Sequence, residues 1–135
     1  DVDTHHTVED VGICLGQAIA KALVDKSDIA RFGSSTVPMD EALARAVIDL
    51  SGRAYLVYNV SFTEETIGIF PSALGLEFFR ALSENARFNL HIDLLRGTNA
   101  HHGIEAIFKA TARALCQAVG HESRYGGIPS TKGAL

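Results

Sequence analysis

Apolar residues recur at Val8, Val11, Leu15, Ile19 and Leu23, the spacing of one buried helix face, so His5 to Val24 reads as a helix. The stretch DKSDIARFGSSTVPMD that follows is rich in Ser, Gly and Asp and holds a proline. It predicts a loop with Arg31 exposed and a new helix starting near Asp40. EALARAVIDLSG then reads as a helix stopped by Gly52, and RAYLVYNVSF as a strand of aromatic and β-branched residues. A similar order follows: PSALGLEFFRALSENA as a helix opened by Pro71, RFNLHIDLL as a strand, RGTNA as a turn, and HHGIEAIFKATARALCQAV as a helix. The tail RYGGIPSTKGAL has no period and reads as loop.

The first and last of these helices open with the same group. HHTVEDVGICLGQAIAKAL laid over HHGIEAIFKATARALCQAV matches both His, the Glu and two Ala, and every match lies 96 positions from its twin, as His101 does from His5. That period is too long for a solenoid and reads as a single duplication, with motif helices at 5–24 and 101–119. The expected architecture is α+β, two duplicated half-domains with helices packed against sheets.

At 135 residues the chain has the size of one domain with a proper core. A formal net charge of -4 offers no basic field for phosphate backbones, which disfavours nucleic acid and favours a metabolite. Cys14 and Cys116 fall inside apolar helical patterns and read as buried, reduced thiols of a reducing compartment. No run approaches the roughly 20 apolar residues of a membrane span, so a soluble protein without a leader is expected. The chain opens at Asp1, without a methionine and close to a motif, which reads as a fragment.

On a helix, Glu9 lies four positions from His5 and three from His6, so either His can share a face with it. The two His differ by about 100° around the axis, a poor arrangement for gripping one ion and a good one for feeding two. Nitrogen and carboxylate donors without thiolate suit divalent Mn, Fe or Zn. A lone His pair at a helix start is more often a cap or a surface pair; two copies at the same place in a repeat favour metal. His91 alternates within NLHID and faces either a site or the core, whereas His121 reads as solvated. Arg31, Arg53, Lys109 and Lys132 are the candidate cations for an anionic substrate. PSTKG combines hydroxyls, a cation and Gly in a form suited to phosphate.

The stretches VDTHHTVEDVGICLG, DIARFGSSTVPMDEAL, DLSGRAYLVYN, LEFFRALSENARFNLHI, GTNAHHGIEAIFKATARAL and PSTKG together resemble the imidazoleglycerol-phosphate dehydratase family of histidine biosynthesis. The resemblance implies a hydro-lyase that converts D-erythro-imidazoleglycerol phosphate to imidazoleacetol phosphate with two Mn²⁺ per subunit, on a ribosomal protein S5 domain 2-like fold whose first half is incomplete here. It implies metal ligands at His5, His6, Glu9, Glu77, His101, His102 and Glu105, and substrate contacts at Arg31, Arg53, Lys109, Ser130 and Lys132. Glu9 and Glu105 would also move protons. It further implies a cytoplasmic enzyme (plastid in a plant), no nucleic-acid or membrane partner, and a homo-oligomeric shell of twenty-four subunits with shared sites. Pro71, Ala73 and Leu76 depart from the family, where polar or acidic residues are more usual. The competing class is a catalytically inactive fragment whose motifs hold a structural or assembly metal.

Overall fold

The computed structural model describes residues 3–122 and 127–133. The fold is α+β: α1 (Thr4–Leu23), β1 (Phe32–Met39), β2 (Ala42–Asp49), β3 (Tyr55–Asn59), the short β4 (Thr66–Ile67) and β5 (Phe70–Pro71), α2 (Leu74–Ala86), β6 (Asn89–Arg96) and α3 (Ala100–Ala118). The main sheet has the order β1-β2-β6-β3. The β1–β2 and β2–β6 pairs are antiparallel, and β3 runs parallel to β6, as a crossover through α2 requires. The pair β4–β5 forms a separate ribbon.

The segment from 32 to 49 corrects the sequence reading twice, because the expected loop is β1 and the expected helix is β2. Ala, Leu, Glu and Arg favour helix by propensity, but burial along β2 alternates strictly: Ala42, Ala44, Ala46 and Ile48 are buried, while Arg45 and Val47 on the other face are exposed. The expected helix start near Asp40 is instead a two-residue hairpin turn, with Asp40 at φ 46° and Met39 paired to Ala42.

Small residues make the strand assignment hold. The alanines of β2 lie beneath α3, whose buried side presents Gly103, Ala106, Ala110, Ala114 and Ala118. Helix and sheet approach so closely that a Cβ on Gly33 of β1 would overlap the carbonyl of Ala114. Phe79, Leu82, Phe88, Leu90, Ile92 and Ile107 fill the rest of the core.

The first helix forms as expected but turns a different side inward. Val11 is 53% exposed and Leu15 44%, whereas Gly12 and Gly16 are buried against α2. A Cβ on Gly16 would come within 2.8 Å of Asn85 Cβ and Leu82 O, so the backbones of the two helices nearly touch. Pro71 lies in β5, and α2 begins at Leu74, later than expected. Cys14 and Cys116 are free and exposed, against the expectation of burial, because both lie on helix sides turned from the core. Among the described residues no helix is long and apolar enough to cross a membrane. The tail beyond Ser123 lies partly outside the described residues; 127–133 form no helix or strand.

Candidate functional site

Each His-His pair stands in the first turn of a capped helix. Asn99 caps α3, its side chain accepting from His102 N at 3.1 Å, and Asp3 caps α1, accepting from His6 N at 2.9 Å. The caps fix where each helix begins and hence where the rings point. The ring planes lie 88° apart in His101 and His102 and 74° apart in His5 and His6, so neighbouring imidazoles diverge as helical spacing requires.

In both pairs the second His is tied through Nδ1 to a carboxylate: His102 to Glu41 Oε2 at 2.8 Å, and His6 to Asp3 Oδ1 at 2.8 Å. Hydrogen bonding at Nδ1 orients the ring and favours the tautomer whose Nε2 lone pair can meet a metal. His102 Nε2 also lies 3.7 Å from Asp40 Oδ2. Glu41 is held from elsewhere too, its Oε1 accepting from Asn99 N at 2.9 Å and Thr98 N at 3.1 Å. These bonds, the one to His102 foremost, bring the Glu41 carboxyl down to about 2, and Glu41 in turn raises the imidazolium range of His102. Asp3 raises His6 in the same way. Neither Asp3 nor Glu41 was expected as a site residue. Asp3 was legible as a helix cap, but Glu41 reaches His102 from 61 positions away.

His101 Nε2 lies 3.3 Å from Glu105 Oε2, and Glu105 Oε1 meets Lys109 Nζ at 2.6 Å. Lys109 is the main cause of the lowered Glu105 carboxyl, so that group is ionised at neutral pH. Glu9 is half-buried on α1. Glu77, in the first turn of α2, pairs with Arg80 at 2.7 Å beside a cavity of about 400 Å³ shared with Tyr58 and Phe62. Burial pushes the Tyr58 phenol up to about 12, so it stays neutral. His91 is exposed on the uncovered face of the sheet, opposite Val47 and Val57, and so belongs to neither the core nor a His cluster; His121 is exposed.

Donors of the right kind are therefore present, but not in sufficient number at one place. Among the described residues no group of three His, Cys, Asp or Glu side chains is gathered closely enough to hold a metal ion. Among the described residues the chain presents two divergent His pairs rather than one closed cluster.

The expected substrate contacts divide between two places. Arg53 and Lys132 line a pocket of about 500 Å³, together with Lys26, Ser51, Gly52 and Arg87. Arg31 is half-buried rather than exposed: it holds Asp49 through Nε at 2.7 Å and Nη2 at 3.2 Å, and donates to Pro129 O at 2.9 Å. It thereby anchors the turn in which Ser130 Oγ accepts from Lys132 N at 3.2 Å. Lys109 stands apart, with the α3 motif. Neither Lys26 nor Arg87 was expected as a site residue: Lys26 fell in the expected loop outside the matching stretches, and Arg87, although inside the stretch LEFFRALSENARFNLHI, was read only as the start of a strand.

Comparison with known proteins gives one concordant result. Residues 1–115 match the model of a family described as imidazoleglycerol-phosphate dehydratase. A relative of that name from Syntrophomonas wolfei is 59% identical over 135 residues, covering 100% of this chain and 68% of the relative. Another, from Halorhodospira halophila, is 57% identical and covered to 68%. The crystal structure of the dehydratase from Staphylococcus aureus superposes with a TM-score of 0.87 at 50% identity, over 90% of this chain and 71% of that one. The enzyme from Pyrococcus furiosus gives 0.87 at 38% identity, over 100% and 74%.

Proposed function

This chain belongs to the imidazoleglycerol-phosphate dehydratase family, hydro-lyases of histidine biosynthesis, and on that premise we propose that it dehydrates D-erythro-imidazoleglycerol phosphate to imidazoleacetol phosphate in a metal-dependent reaction. The observation that carries the metal reading is the pair of capped helix ends, each with a second His bound through Nδ1 to a carboxylate. His5, His6, Glu9, His101, His102 and Glu105, with Glu77, would supply nitrogen and oxygen donors suited to Mn²⁺, two ions per subunit. Because these donors form no cluster of three within the described chain, each ion would be shared between copies of a homo-oligomer.

A bound divalent ion would supply Lewis-acid stabilisation of negative charge on the imidazole ring. The protein's own groups do the rest. Lys109 keeps Glu105 ionised and able to accept a proton once that ion pair opens, and Glu9 has the equivalent place on α1. Arg53 and Lys132 would hold the phosphate, with Ser130 beside them on the turn that Arg31 anchors.

The test is metal content by mass spectrometry on protein purified without chelator, with size measurement and a dehydratase assay with and without Mn²⁺. About two Mn per chain, an oligomer and turnover are expected, by the divalent donor chemistry above. Metal and assembly without turnover would favour an assembly role, and absence of metal would overturn the reading of the His pairs.

A further inference from the structure

The pocket at Arg53 and Lys132 contains more positive charge than the expected substrate contacts account for. Its lining has four cationic side chains, Lys26, Arg53, Arg87 and Lys132, and no carboxylate, in a chain whose net charge is -4. The acid whose charge acts on Lys26 is Asp49, already engaged by Arg31 through Nε and Nη2.

Lys26 is the most unusual of the four. Its residue is only 9% exposed, and its ammonium makes no hydrogen bond or ion pair with a described residue. Burial, then the charge of Arg87, pulls this ammonium below the ordinary lysine range, while Asp49 partly opposes them. Its stem is packed away while the ammonium reaches solvent only at this pocket, so an anion entering there would meet a cation that no described carboxylate engages.

Arg87 is placed at a conformational cost. It caps α2 in the left-handed conformation, φ 56° and ψ 55°, where glycine is at ease and a side chain is strained. Its Nε donates to Gly52 O at 3.2 Å, which holds the guanidinium at the pocket and leaves its terminal NH₂ groups without a hydrogen bond to a described residue. Ser51 adds a hydroxyl to the same wall.

We propose that Lys26 and Arg87 are phosphate-binding residues that complete the seat begun by Arg53 and Lys132, gripping the dianionic head of a phosphate monoester from the side of the α1–β1 loop and the end of α2. This rests on the phosphorylated-substrate reading above and adds two residues to it. A monoester head brings a charge of about -1.5 to -2 and three acceptor oxygens, enough to engage both added groups.

Inorganic phosphate titrated into the full chain, by calorimetry and by thermal melting, tests the assignment apart from turnover. Lys26→Met is expected to weaken phosphate about tenfold or more and Arg87→Gly about fivefold, with Arg87→Lys recovering part of the loss. Without phosphate neither Lys26→Met nor Arg87→Gly is expected to melt lower than the parent, since one removes a charge that engages no described residue and keeps the packed stem, and the other relieves the left-handed cap. If Arg53→Ala weakens phosphate while Lys26→Met and Arg87→Gly bind it as tightly as the parent, the proposal is overturned and the smaller seat stands. If Arg53→Ala is also without effect, the phosphate placement under the proposed function falls with it. A large drop in melting temperature of the phosphate-free variants would assign Lys26 and Arg87 to structure instead.

Discussion

The helices α1 and α3 open with the same residues but are held differently. In α1 one residue, Asp3, both caps the helix and orients His6, and the pair is widely open to solvent at 63% and 65% side-chain exposure. In α3 these duties are split: Asn99 caps, while Glu41 on the β1–β2 hairpin orients His102, and that pair is 28% and 39% exposed. Below its first turn α3 lies against β1 and β2, whereas α1 rests on α2 through Gly12 and Gly16. The α3 His pair is thus positioned by the sheet, and the α1 pair mainly by its own helix. The same motif can be built into a core or carried at its margin.

Substitutions should expose that asymmetry. Gly33→Val, which drives a side chain into the backbone of α3, is expected to cost about 3 kcal/mol or more and to remove the cooperative transition in a denaturant melt. Gly16→Val pushes α1 away from α2 and should cost about 1–3 kcal/mol. Hydrogen exchange should then show lost protection in α1 while α3 stays protected; equal loss in both helices would erase the distinction. At the sites themselves, Glu41→Gln should weaken metal binding about 10- to 100-fold in a competition titration. Asp3→Asn retains a good capping residue and acts at a more exposed pair, so its effect should be smaller, below about tenfold.

The smallest effect is on titration of the metal-free protein. Glu41 is depressed from 4.5 to about 2, so its contribution is present above pH 4.5 and is lost as pH falls through about 2. His102 is raised above 6.5, so its contribution is fully present below pH 6.5 and fades as pH rises through the raised value. The pair therefore supports the fold most between those two reference values, pH 4.5 and 6.5. Glu41→Gln should lower the His102 midpoint followed by NMR, and an unchanged midpoint would show that the contact does not form in solution.

Local chemistry was the part of this molecule most legible from residues alone. The paired motifs, α3 and β6 followed from spacing and residue type. What escaped was set by partners distant in the chain. EALARAVIDL has helix-forming residues, and only contact with α3 makes its alternate alanines a strand face. Val11 and Leu15 looked like the inward side of α1 because glycine carries no hydrophobic signal, although Gly12 and Gly16 make the contact. Glu41 was read as part of a helix, and no local pattern could send it to His102. Lys26 and Arg87 belong to one pocket only because the α1–β1 loop and the end of α2 converge there.

The layer of alanines between β2 and α3 also bears on how this protein can evolve. Ala44, Ala46, Ala106, Ala110 and Ala114 are wholly buried where helix and strand come together, so a larger residue at any one of them demands a simultaneous reduction across the gap. Drift there must proceed by coupled exchanges, whereas Arg45 and Val47, on the same strand but facing outward, can change singly. A library randomised along β2 should therefore return survivors with an alternating tolerance, narrow at every second position and broad between.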